Sequence, residues 1–116
     1  MLIMGHEVQD LDFLDANVLE KVENASEKVF NECTGAKKAK KESEGVRIQC
    51  NAIAEFIDEL FGKGTAEMLI ENGANLSTCI NVFGEVMKAI DKSKAEQNEK
   101  FELLLNKYSL VRSKKK

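Results

Sequence analysis

Residues 76–108, LSTCINVFGEVMKAIDKSKAEQNEKFELLLNKY, decide how the rest of this 116-residue chain can fold. Ten positions in this stretch follow one another at alternating steps of four and three residues, and eight of them are apolar or aromatic. Such spacing is that of the a and d positions of a heptad, which form one stripe along an α-helix. The ten positions are Leu76, Ile80, Phe83, Met87, Ile90, Lys94, Gln97, Phe101, Leu104 and Tyr108.

As a single helix, this stretch would be about 48 Å long at about 1.5 Å per residue. A compact domain of this chain length has a radius of gyration of about 13 Å, and hence a diameter of about 35 Å. We therefore expect the helix to extend beyond its own domain, leaving part of its apolar stripe without an intramolecular partner. The residues predicted to bind another protein are Met87, Ile90, Phe101, Leu104, Leu105 and Tyr108.

The distal part of the stripe also allows a purely structural interpretation. Phe101, Leu104, Leu105 and Tyr108 can instead pack on the first helix or on the N-terminal segment of the same chain. The polar residues Lys94 and Gln97 occupy stripe positions, which predicts either looser packing midway or a fixed register.

Three further helices are predicted before this stretch. Asp15, or alternatively Asn17, is the expected N-cap of a helix that ends at Thr34-Gly35, with Gly35 as the residue after the C-cap. A second helix is expected over residues 43–61 with an apolar face at helical spacing, and a short third one over 66–71. Thr65 is expected to cap the third helix, and Asn75 or Ser77 the long one.

Residues 1–14 have a different pattern, because two short apolar-rich runs flank Gly5-His6. Glycine at this point favours a tight turn, so we predict a small β-hairpin that packs on the helices. The predicted fold is mainly α: a helical bundle with a short N-terminal β-hairpin and a long C-terminal helix. Residues 1–14 form the hairpin, 15–108 the helical domain and 109–116 a basic flexible tail.

The residue types do not assemble an active site. The chain has one histidine and three cysteines without metal-ligand spacing, so no nucleophile–base pair and no cofactor or metal site is expected, and we predict that the protein is not an enzyme. Cys33, Cys50 and Cys79 are expected to be small core residues of a reduced protein. Gly62-Lys63-Gly64-Thr65 lacks the spacing of a phosphate-binding loop. No apolar run is long enough to span a membrane.

Lysines at 37–41 and 114–116 raise a third functional class, a small nucleic-acid-binding regulator. The net charge of −3 and the neighbouring Glu42 and Glu44 argue against this alternative.

Four segments carry a resemblance to a known family: LDFLDANVLEKVE (11–23), FIDELFGKGTAEMLI (56–70), NLSTCINVF (75–83) and KYSLVR (107–112). They resemble small proteins encoded in the tail-gene region of siphophages and prophages of Firmicutes, which are similar in position and size to tail assembly chaperones. The likeness covers most of the chain except residues 36–45, and it departs from the family at the end, where Leu110 and Lys114–Lys116 replace a proline and additional arginines.

This resemblance implies a non-enzymatic phage tail assembly chaperone in the host cytoplasm that is absent from the mature virion. Its implied partners are the tape measure protein, a very long helical chain with apolar stripes, a second copy of itself and, more remotely, the tail tube protein. Covering those stripes before the tube assembles would prevent aggregation. The alternative is a structural homo-oligomeric helical module without a chaperone role.

Overall fold

Four α-helices and one N-terminal β-hairpin make up the described part of this chain. The computed structural model describes residues 1–114, with side chains up to residue 109. This confirms the predicted fold class, including the long C-terminal helix. The elements are β1 (Leu2–Ile3), β2 (His6–Glu7), α1 (Ala16–Gly35), a 3-10 turn (Ala36–Lys38), α2 (Glu42–Phe61), α3 (Thr65–Leu69) and α4 (Leu76–Lys114).

Helix α2 is the centre of the bundle, because it packs against both α1 and α4. A helix covered by two neighbours must bury a wider arc than a single apolar face. In addition to the predicted face with Ile53 and Ile57, α2 therefore buries Phe56, which is 1% exposed. The Phe56 ring meets the ring of Phe83 on α4 edge to face, with centroids 5.2 Å apart.

The buried face of α4 differs from the predicted heptad stripe. Over residues 76–90, the first part of α4, the most buried side chains are those of Cys79, Val82, Val86 and Ile90, at 0–1% exposure, whereas Ile80 is 55% exposed. A strict heptad describes two helices that coil around each other, but here α4 is covered by α2 and β1. The buried face therefore follows the 3.6-residue period of an ordinary helix, and the stripe predicted through Ile80 is wrong in phase.

Two helix starts follow the sequence prediction. The Asp15 side chain accepts a hydrogen bond from the Asn17 backbone N–H at 2.8 Å, which caps α1. The Asn75 side chain accepts one from the Thr78 N–H at 3.1 Å, which caps α4. Both side chains satisfy backbone N–H groups that have no partner within the helix.

Two other predicted helix ends are wrong. Gly35 is not a left-handed residue after the helix; it lies in α1 with a φ of −64°, and the chain continues into the 3-10 turn. Thr65 does not cap α3 but is its first residue, and the preceding Gly64 has a φ of 95°. The cap comes from α2 instead, because the Asp58 carboxylate accepts the Ala66 N–H at 2.8 Å.

We expect Asp58→Ala to lower the free energy of unfolding by about 1 kcal/mol, because the start of α3 loses its only side-chain cap. Chemical denaturation followed by circular dichroism would measure this change. Asp91→Ala, at an exposed position on α4, is the matched control and should stay within about 0.5 kcal/mol of the parent. Equal stability of the two variants would contradict the capping role of Asp58.

The N-terminal hairpin is joined to the core of the bundle. Leu2 pairs with Glu7 and Ile3 with His6. The turn residues Met4 and Gly5 both have positive φ, 52° and 80°, as a two-residue type I′ hairpin requires. Ile3 is 2% exposed. After the short β2, the chain follows as an irregular segment that buries Val8, Leu11 and Phe13 in the same core.

Helix α4 makes the molecule elongated. The principal extents are 69 × 29 × 20 Å and the radius of gyration is 18.3 Å, against about 13 Å for a compact domain of this length. The helix continues past Tyr108, where the helical domain was predicted to end. The side chains from residue 110 onward, and residues 115 and 116 as a whole, lie outside the described part of the chain. The flexibility of the predicted basic tail therefore stays a prediction. No helix within residues 1–114 is long and apolar enough to cross a membrane.

Candidate protein-binding surface

The distal half of α4 carries a group of apolar side chains that the core does not cover. Phe101 is 48% exposed, Leu104 52%, Leu105 51% and Tyr108 61%. Leu14, which precedes α1, is 52% exposed and lines one open groove together with Phe101 and Leu104. We call these five residues the distal surface. Single exposed apolar residues are ordinary, but a contiguous group of large ones marks an interaction site.

The distal surface continues the buried face of α4. Each residue of an α-helix advances by about 100° around the axis, so Phe101, Leu104 and Tyr108 lie in line with the buried Val86 and Ile90. The same helix face is therefore covered by the chain itself in its first half and uncovered in its second half. Protein interiors and docking surfaces use the same apolar side chains, so this face is suited to a partner helix.

Two of the six residues predicted to bind a partner do not belong to this surface. Ile90 is 0% exposed, because it lies in the chain's own core, and Met87 is half-buried against that core. The partner-binding role predicted for Ile90 is therefore wrong. The other four predicted residues are exposed, and the alternative in which they pack on α1 or the hairpin is not what the structure shows. Their role in binding stays a prediction.

Gln97 marks the point at which the stripe changes from buried to exposed. Its side-chain Oε1 accepts the Phe13 N–H at 2.7 Å, and its Nε2 donates to the Leu11 carbonyl at 2.9 Å. Beside it, the Lys94 ammonium lies 5.8 Å from the centroid of the Phe13 ring, within cation–π range. The polar stripe positions thus attach the segment before α1 to α4 of the same chain.

We expect Gln97→Ala to lower the free energy of unfolding by about 1–3 kcal/mol, because the Phe13 N–H and the Leu11 carbonyl would both lose a partner. Thermal and chemical unfolding would measure the loss. Asn98→Ala, one residue further at an exposed position, is the control and should have little effect. If both variants unfold alike, the two hydrogen bonds do not hold the segment in solution.

The segment before α1 and helix α4 border an open groove of about 790 Å³ that extends to both sides of Gln97. Its apolar side includes Leu14 and Phe101, and its rim carries the carboxylates Asp10, Asp12 and Glu96. An open groove of this shape suits a side chain or helix of another protein better than a small molecule, which needs an enclosed pocket.

The cysteine thiols belong to the core and not to this surface. Cys50 and Cys79 are buried and free, as predicted, and Cys33 is half-buried. Burial is the larger cause and the hydrogen bond with Cys50 the smaller one; together they raise the pKa of the Cys79 thiol to about 11. At neutral pH this thiol is protonated, so it acts as a small apolar side chain and not as a nucleophile.

Sequence reasoning missed Leu14, the acidic groove rim and the role of Gln97. Leu14 follows Asp12, whose carboxylate accepts the Leu14 N–H at 3.0 Å. This turn directs the chain into α1 and leaves the Leu14 side chain uncovered. The only signal in the sequence was an apolar residue next to the cap residue Asp15, which is too common to indicate a surface.

Comparison with known proteins places the chain in one family. Residues 4–116 match a family described as a family of unknown function, DUF6673. Comparisons with curated proteins and with solved structures gave no match. Because the match extends over nearly the whole sequence, the chain belongs to family DUF6673.

Proposed function

We propose that this protein is a non-enzymatic assembly factor that binds an apolar helical segment of another protein through its distal surface. One observation carries the proposal: the apolar face of α4 is buried up to Ile90 and then continues, uncovered, through Phe101, Leu104 and Tyr108. A helix that lays its apolar face on another helix is a common mode of protein recognition.

The energy available from this surface fits reversible binding. Full burial of a Leu or Phe side chain contributes about 1.5–3 kcal/mol. The distal side chains are about half-exposed in the free chain, so a partner can still bury about half of each. Five such contacts provide several kcal/mol before the entropy of association is subtracted. Aromatic anchors such as Phe101 and Tyr108 are the residue types that dominate binding energy. The result is an affinity in the range of a transient complex, as a chaperone requires.

The choice of partner in this proposal rests on the resemblance to proteins of phage tail-gene regions. In this proposal the protein is a tail assembly chaperone that acts in the host cytoplasm and leaves before the virion matures. It covers apolar stripes of the tape measure protein until the tail tube protein assembles around that chain. The length of α4 supports this proposal, because the projecting distal surface can reach a long helix without obstruction by the rest of the molecule.

Co-expression with the tape measure protein of the same genome tests this proposal. The tape measure protein is expected to stay soluble and to co-purify with this chain, and to aggregate when it is expressed alone. An unrelated helical protein of similar size and charge, expressed in place of this chain, serves as the control. Equal solubility of the tape measure protein with either co-expressed protein would refute the proposed role.

A further inference from the structure

The free distal surface has a shape and a charge pattern that fit a second copy of the same chain. The groove next to Gln97 is open, apolar on the side of Leu14 and acidic along the rim formed by Asp10, Asp12 and Glu96. The part of α4 that extends beyond this groove carries an exposed aromatic residue, Tyr108, which follows the exposed Lys107. One end of the surface is thus a partly acidic cavity, and the other end is an aromatic side chain next to a base.

We propose that, in the absence of another partner, two copies pair through antiparallel α4 helices and place Tyr108 of each copy in the groove of the other. This inference rests on the proposed function in one respect, namely that the distal surface docks a helix. An antiparallel arrangement brings Phe101 of one copy opposite Leu104 of the second, and Tyr108 opposite Gln97. Each contact then occurs twice, as in an isologous two-fold dimer.

Charge favours the antiparallel arrangement. In this register, Lys107 of the second copy lies beside the groove rim, between Glu96 and Lys100 and next to Asp12. Asp10 on the rim is already paired with the N-terminal ammonium group of Met1, so Asp12 and Glu96 are the carboxylates that attract a further cation. In a parallel pair, residue 107 would lie about 16 Å along the axis from residue 96, too far for a direct contact. The residues after Ser109 add Arg112 and three lysines in sequence and no acidic side chain.

The size of the contact predicts a weak and exchangeable dimer. Two helices that overlap from residue 97 to residue 108 share about 17 Å of length. With Leu14 and the groove added, the buried area is on the order of 1,000 Å² in total, at the low end of specific interfaces. Such a dimer protects the apolar surface while the chain is free and gives it up to a partner that binds the same residues.

A charge exchange between Glu96 and Lys107 tests the arrangement with the purified chain alone. Analytical ultracentrifugation over a range of concentrations should show a reversible dimer for the parent. Glu96→Lys or Lys107→Glu places like charges together at both symmetric contacts and should weaken the dimer about tenfold. An equimolar mixture of the two variants restores both contacts, so it should form a heterodimer of near-parental affinity, and the double variant should dimerise again. Glu99→Lys, which changes the same charge on the opposite face of α4, is the control and should dimerise like the parent.

The outcomes separate this inference from the proposed function. A parent that stays monomeric at all concentrations overturns the dimer, and tape measure binding by the same sample would leave the proposed function standing. Single variants that dimerise like the parent, or a mixture that fails to recover, overturn the antiparallel register. Recovery in the mixture with loss of dimerisation in Tyr108→Ala would support both the register and the groove contact.

Discussion

Replacing Phe101 and Leu104 together by aspartate is expected to abolish partner binding while the chain stays folded. Both side chains are about half-exposed on the distal surface, so the substitutions remove apolar contact area and place two carboxylates where a partner must exclude water. Loss of two central anchors at about 2 kcal/mol each corresponds to a drop in affinity of about 1,000-fold. Co-purification with the tape measure protein would measure binding, and circular dichroism would measure helix content and the melting temperature.

The matched control for this double variant lies on the same segment of α4. Leu103 is 62% exposed, but its position on the helix points away from the stripe of Phe101, Leu104 and Tyr108. Leu103→Asp introduces the same chemical change and should leave partner binding nearly intact. Two results would contradict the assignment: a double variant that binds like the parent, or one that loses its cooperative unfolding transition. The second result would place Phe101 and Leu104 in a core.

The sequence pattern of α4 predicted the start of the helix at Leu76 and the exposure of its distal part, although the helix continues past Tyr108 to Lys114. A helix that is longer than the diameter of its domain must extend beyond that domain, however its buried part packs. The rotational phase of the stripe could not be predicted in the same way. It depends on which elements cover the helix, and α4 is covered by α2 and β1 instead of a parallel partner helix. For this reason Ile80 was predicted on the buried stripe but is 55% exposed.

The missed features of the candidate surface all depend on contacts between distant parts of the chain. Gln97 binds the backbone of Phe13, which is 84 positions away. In the sequence, Gln97 was only a polar interruption of an apolar stripe, and no local rule identifies its partner. The groove lies between this segment and α4, on both sides of the Gln97 contact. The carboxylates on its rim come from two separate segments, so they are not a cluster in the sequence.

Ile90→Ala and Leu104→Ala are expected to separate the two roles of one helix face. Ile90 is 0% exposed, whereas Leu104 is 52% exposed. Removing the Ile90 side chain leaves a cavity among α4 and its neighbours and should lower the free energy of unfolding by about 2–5 kcal/mol. For a domain whose total stability is about 5–15 kcal/mol, this is a large fraction. Leu104→Ala should change the stability by less than about 0.5 kcal/mol.

Binding should reverse the order of these two variants. Leu104→Ala truncates an anchor of the distal surface and should weaken partner binding, whereas the folded fraction of Ile90→Ala should bind with the parental affinity. Chemical denaturation of both variants, and co-purification of each with the proposed partner, the co-expressed tape measure protein, give the two quantities. Both substitutions replace an aliphatic residue of α4 by alanine, so a change in helix propensity does not explain a difference in stability or binding between the two variants. Equal loss of stability in both variants would mean that the face is covered along its whole length, and that the protein has no apolar surface to offer.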